Sequence, residues 1–106
     1  KALSAIARRS RLMFDFEELS WIDPVECHKE VISAFEKVSQ HQNVNYIKMP
    51  SGAAHDTQMV ASIAPVGMIF VPSKKGMSHS PHEWTDWRDI ETGTNVLLDT
   101  ILELTQ

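Results

Sequence analysis

Six residues, Val66-Gly67-Met68-Ile69-Phe70-Val71, form a nearly continuous apolar run bounded by Pro65 and Pro72. This pattern predicts a strand buried on both faces, and such strands belong in α/β sheets with helices over them. The rest of the chain is read around that run.

Residues Ala2 to Arg9 predict a helix, with Leu3, Ile6 and Ala7 on one face and Arg8 and Arg9 at the negative end of its dipole. From Leu12 to Leu19, apolar residues at 12, 14 and 16 alternate with Asp15 and Glu17, which is strand spacing with one wet face. Asp23-Pro24-Val25-Glu26 predicts a helix start: Asp23 caps, Pro24 takes the first helical position and Glu26 follows three residues after the cap. Val31, Phe35 and Val38 continue that helix, which fades between Gln40 and Asn43. Val44 to Met49 alternates again and predicts a short strand. After the small-residue loop 50–54, His55 to Ile63 predicts a short helix stopped by Pro65. Ser73 to Asp86 predicts a loop, and Asp89 to Leu104 a helix with Leu97, Ile101 and Leu104 on one face. The expected fold class is therefore α/β, with alternating helices and strands forming part of a sheet with helices packed on it, of the three-layer type. The best candidate boundary lies between Leu19 and Asp23, where the strand type changes from half-wet to buried.

Charge and composition narrow the function. The formal net charge is -4, and the densest basic cluster, Arg8, Arg9 and Arg11, is short. That argues against nucleic acid as a partner, because phosphate binding needs clustered Lys and Arg. No apolar run approaches the roughly 18 to 20 residues of a membrane span, and no secretory signal pattern opens the chain. The single cysteine, Cys27, excludes an intrachain disulfide and fits a reducing, cytoplasmic setting. The first residue is Lys1 and the helix pattern begins at once, as expected of numbering that starts inside a longer protein.

Two loops carry the groups with chemistry. In open α/β sheets, ligands sit outside the carboxyl ends of strands. The loop after Val71 holds Ser78-His79-Ser80-Pro81-His82-Glu83. Neutral imidazole is a common zinc ligand, so His79 is the sharpest metal candidate, against the plainer reading of a hydrogen-bonded loop histidine. Glu83 is read either as a group that orients a ligand or as a solvated side chain. The loop Ser51-Gly52-Ala53-Ala54-His55-Asp56 has small residues that let a ligand approach the backbone, and it opens a helix whose N-terminus favours an anion. His55 beside Asp56 is an orienting pair, a substrate contact or a plain helix start. Trp84 and Trp87 either wall a pocket or pack the loop onto the body.

The segments 49–56, 65–73 and 76–83 together resemble the hydantoinase/carbamoylase family of metal-dependent amidohydrolases, in order and spacing across residues 19 to 105. This family includes N-carbamoyl-L-amino acid hydrolases, allantoate amidohydrolase and some β-ureidopropionases. The resemblance implies a catalytic domain with two metal ions, zinc or manganese, interrupted by a lid and dimerisation domain. Residues 1–19 would end that lid, and residues 20–106 would be the C-terminal part of the catalytic domain. His79 matches the final metal ligand. Ala53, Ala54 and His55 match the loop facing the substrate carboxylate, and Asp56 and Glu83 match positions close behind.

The family loop usually reads Gly-Ala-Gly-His-Asp; here the second glycine is Ala54, which adds a methyl group. The remaining ligands and the catalytic glutamate lie outside this chain, so no catalytic residue is assigned in it. The implied reaction is metal-assisted hydrolysis of a linear C–N amide, such as an N-carbamoyl, ureido or allantoate-like substrate, by an enzyme that is a homodimer when intact. The implied partners are the small-molecule substrate and the rest of the parent enzyme, with no nucleic acid and no membrane. A catalytically inert truncated relative acting as an interaction module, and an aminoacylase or peptidase relative, are the alternatives.

Overall fold

Two amphipathic helices hold the chain together. A computed structural model describes residues 1–106. In chain order its helices are α1 (Ala2–Ser10), α2 (Lys29–His41), the single turn α3 (Thr57–Val60) and α4 (Trp87–Leu104), with a short 3-10 turn at Lys74–Gly76. Of these elements only α2 and α4 pack on one another. Ala34 and Val38 of α2 and Val96 of α4 are buried at that seam. Thr100 is buried beside them, and its hydroxyl donates to the Val96 carbonyl at 2.7 Å, so no polar group is stranded. The rim is polar. Gln42 Nε2 donates to Asp99 Oδ2 at 2.6 Å and to the Asn95 carbonyl at 3.3 Å, and Lys37 pairs with Glu103.

The apolar run docks on this pair through two glycines. Val66 is buried, and its carbonyl accepts the His28 N–H at 2.7 Å, fixing the run to the entrance of α2. At Gly67 an added Cβ would stand 2.4 Å from Val31 Cγ1 and 2.9 Å from Phe35 Cε2. At Gly93 of α4, an added Cβ would stand 2.6 Å from Val71 Cγ1. Both ends of the run therefore lie against helix surface with no room for a methyl group.

The α/β expectation is overturned. The chain contains no strand, and the segments 12–19, 44–49 and 66–71 read as strands from their patterning carry no ladder. The physical reason is pairing. A strand exists only through hydrogen bonds to a neighbour, and no backbone hydrogen bond joins any two of these segments. The 66–71 run makes one long-range backbone bond, to His28 in a helix entrance. The 44–49 segment instead meets α2 through side chains at alternate positions: Tyr46 Oη donates to Glu36 Oε1 at 3.3 Å, and Lys48 Nζ pairs with the same oxygen at 2.9 Å. Period-two patterning is thus present and used, but against a helix.

The helices also depart in their limits. Helix α2 begins at Lys29 rather than near Asp23. The Asp23 carboxylate is engaged by the Trp21 indole N–H at 2.8 Å and its carbonyl by Gln58 Nε2 at 3.4 Å, so it does not cap a helix. Helix α3 is one turn instead of His55 to Ile63; turns continue to Ala64, where Pro65 ends them. Helices α1 and α2 close as expected of Schellman ends, with Arg11 (φ 52) and Asn43 (φ 54) left-handed and Leu12 and Val44 N–H reaching back to the Ala7 and Ser39 carbonyls.

What is exposed matters as much as what is buried. Only six of 106 residues are buried. The radius of gyration is 19.1 Å, against roughly 13 Å for a compact domain of this length. Ile47 is 80% exposed, Ile63 86%, Trp21 76% and Trp87 74%. No helix is long and apolar enough to cross a membrane.

Substituting Gly67→Ala is expected to lower the urea midpoint by an amount equivalent to about 1–3 kcal/mol, the usual cost of overpacking; an unchanged midpoint would show that Val31 and Phe35 yield freely. The Lys48 ammonium is held above its ordinary 10.5 by the Glu36 hydrogen bond and charge. A raised lysine stabilises fully below its unfolded value and loses that contribution as pH rises through the folded one. The small stability difference between wild type and Lys48→Met should therefore be present at pH 7 and shrink as pH rises beyond the ordinary lysine value of 10.5, read by thermal unfolding on both sides of it.

Candidate functional site

The loop 51–58 is organised around the imidazole of His55. Ser51 Oγ lies 2.8 Å from His55 Nε2, and the same oxygen accepts the Ala53 N–H at 3.2 Å. The His55 N–H donates to Gln58 Oε1 at 3.1 Å, and Gln58 Nε2 reaches the Asp23 carbonyl. Phe70, from the end of the apolar run, packs its ring at 5.7 Å between centroids and 56° tilt against the imidazole, a favourable tilted arrangement. His55 is half-buried, whereas Ser51, Ala53, Ala54 and Asp56 are exposed. The tie that holds His55 thus comes from Ser51 and not from its neighbour Asp56, whose side chain makes no hydrogen bond and caps nothing.

Backbone geometry refines the anion site expected here. The Ala53 N–H is occupied by Ser51 Oγ, while the Ala54 N–H carries no bond. Ala54 is outside the left-handed region, so its methyl group imposes no backbone strain. Helix α3, at four residues, is too short to build a substantial dipole.

The loop 73–84 is clasped at its base. Lys74 N–H donates to the Trp84 carbonyl at 2.7 Å, and Ser73 Oγ bonds the Met77 carbonyl and approaches the Trp84 carbonyl at 3.4 Å. Trp84 Nε1 donates to Asp86 Oδ1, the residue that begins α4, at 3.3 Å. At the tip, His79 takes a left-handed conformation (φ 54), and its N–H donates to Glu83 Oε2 at 2.9 Å. Glu83 in turn donates its N–H to the Ser80 carbonyl, and the His82 N–H bonds Ser80 Oγ. Glu83 therefore holds the backbone that aims His79. Both side chains are exposed. Trp84 walls a shallow cleft with Pro72, Ser73, Lys74, Asp86 and Asp89.

Two clusters thus form: Ser51, Ala53, His55, Gln58 and Phe70 in one, and His79, Ser80, His82 and Glu83 in the other. No hydrogen bond or ion pair joins them. The chain gathers no group of three or more His, Cys, Asp or Glu side chains able to hold a metal ion. Zinc needs at least three protein ligands. The donor set fits one imidazole contributed to a shared centre and does not fit a centre complete within the chain. Sequence reasoning missed Ser51 and Gln58; their signal was spacing, since residues four before and three after His55 fall within reach when the loop curls.

Comparison with known proteins decides the family. The profile of peptidase family M20/M25/M40 matches residues 13–103. The chain belongs to this family. Among curated relatives, it is 40% identical over 101 residues to the N-carbamoyl-L-amino acid amidohydrolase of Geobacillus stearothermophilus, covering 95% of this chain and 25% of that protein. It is 37% identical over 101 residues to an uncharacterized hydrolase of Haemophilus influenzae, with the same shares of 95% and 25%. Over 79 residues it is 39% identical to the allantoate amidohydrolase of Escherichia coli, covering 73% of this chain and 19% of that protein. The chain spans about a quarter of the length of the curated relatives it matches.

Replacing Glu83 by Ala should speed amide hydrogen exchange at His79 roughly fivefold to tenfold, matching the loss of one partly screened, charge-assisted bond of about 1 kcal/mol. Glu83→Gln, which keeps an acceptor, should show a smaller rise. Equal exchange in all three proteins would mean that the carboxylate does not hold the loop.

Proposed function

We propose that this chain is the C-terminal portion of an amidohydrolase that cleaves a linear C–N amide in an N-carbamoyl, ureido or allantoate-like substrate. Residues 1–19 end a lid and dimerisation domain, and residues 20–106 close the catalytic domain. The observation that carries the reading is the family match over 13–103, together with relatives named as amidohydrolases of carbamoyl amino acids and allantoate. The broad exposed apolar surface supports it, since a chain with six buried residues has most of its packing still to make, and the rest of the parent protein is the partner that reading supplies.

Within this reading, His79 is one ligand of a two-ion zinc or manganese centre. The ions, when bound, supply a water acidic enough to attack an amide at neutral pH. This chain's own residues bind and orient. The Ala54 N–H and the His55 ring face the substrate carboxylate, Glu83 fixes the loop that presents His79, and Trp84 closes the base of that loop. The intact enzyme is a cytoplasmic homodimer.

The test uses the complete protein containing this chain, assayed against an N-carbamoyl-L-amino acid, allantoate, ureidoglycolate and an N-acyl amino acid. Hydrolysis of one of the first three, lost on chelation and restored by zinc or manganese, is expected. Groups that merely orient a ligand already matter 10- to 100-fold, so His79→Ala should lower turnover by at least about a hundredfold and reduce the bound-metal count. Undiminished activity and metal content in His79→Ala would overturn the assignment of His79. Turnover confined to the N-acyl amino acid would favour an aminoacylase.

A further inference from the structure

The Ser51–His55 contact involves one imidazole nitrogen, Nε2, and leaves the other free. The Ser51 oxygen already accepts the Ala53 N–H at 3.2 Å, and the only acceptor the protein offers its proton is His55 Nε2, 2.8 Å away. Bonds in series, Ala53 N–H to Ser51 Oγ and Ser51 O–H to His55 Nε2, polarise one another favourably. The reverse arrangement, with Nε2–H donating, would put two donors on one oxygen and leave the hydroxyl proton without a protein partner.

We propose that Ser51 is a positioning residue that holds His55 in its Nδ1–H tautomer, so that the ring offers Nδ1–H as a donor to an anionic substrate carboxylate. Nδ1 has no hydrogen-bond partner in the chain, and Phe70 fixes the plane of the ring through its tilted packing. Gln58 completes the mount from the backbone side, accepting the His55 N–H and tying the loop to the Asp23 carbonyl. The unbonded Ala54 N–H precedes the imidazole by one residue, so a carboxylate at this loop meets a second donor. A solvated imidazole favours the Nε2–H form, so Ser51 acts against the intrinsic preference of the side chain, and its removal has a spectroscopic signature. The carboxylate part of this inference rests on the reading of loop 51–56 as substrate-facing; the tautomer part does not.

The experiment uses the complete protein labelled with nitrogen-15 in its histidines, with His55→Gln identifying the His55 resonances. Wild type is expected to show protonated Nδ1 and unprotonated Nε2 at neutral pH. Ser51→Ala should move His55 toward Nε2–H and raise KM for carboxylate-bearing substrates by about tenfold, the effect of losing one hydrogen bond to a charged group, with a smaller change in kcat. Ser51→Thr keeps the hydroxyl and should restore both readouts. An Nε2–H tautomer in wild type, or an unchanged Nδ1–H tautomer in Ser51→Ala, would overturn the assignment. Equal KM increases in Ser51→Ala and Ser51→Thr would overturn it too, since the hydroxyl would then be irrelevant. If wild type hydrolyses none of the carbamoyl, ureido or allantoate substrates while His55 still switches tautomer in Ser51→Ala, the positioning role stands and the amidohydrolase reading falls.

Discussion

The close approach of Gly67 to α2 is the constraint on which the rest of the structure depends. Because no side chain separates them, the apolar run lies against Val31 and Phe35 while His28 hydrogen-bonds the Val66 carbonyl. That placement aligns the far end of the run, so that Val71 meets Gly93 on α4 and Phe70 reaches the imidazole of His55. The α2–α4 seam, the His55 loop and the start of the clasped loop after Pro72 are thus all referred to one short apolar segment. Its patterning made it the most informative stretch of the sequence, and the structure makes it the common support of both candidate clusters.

The helical part of the fold was legible, and the absence of a sheet was not. Helices α1, α2 and α4 were readable because their apolar spacing and end signals are local: Leu3 and Ile6, then Val31, Phe35 and Val38, then Leu97 and Ile101 all recur at helical intervals. Segments 12–19, 44–49 and 66–71 have strand patterning, but pairing is a property of two segments, and no pattern within one of them records whether its neighbour is present. The start of α2 failed for a related reason. Asp23 has the residue types of a cap, yet Trp21 and Gln58 compete for its polar atoms, and that competition depends on tertiary placement.

The candidate sites divide in the same way. His55, His79 and Glu83 were named from the sequence by residue type and by the resemblance of their segments to a family pattern. Which groups hold them was less visible. Asp56, adjacent in sequence, is the obvious orienting group for His55, but the contact falls to Ser51 because the loop folds back on itself. Glu83 acts on the backbone of His79 and not on its ring. Proximity in sequence was a good guide to membership of a cluster and a poor one to its wiring.

The clasp between Lys74 and Trp84 has a consequence for variation. Its hydrogen bonds are made by backbone groups and by Ser73 at the neck, and Trp84 is moored to Asp86 at the head of α4. The tip, from Ser78 to Glu83, is bonded only within itself and makes no hydrogen bond to the helix pair that carries it. Exchanges at the tip that spare His79 and Glu83 can change what the loop presents without touching the hydrogen bonds of the neck.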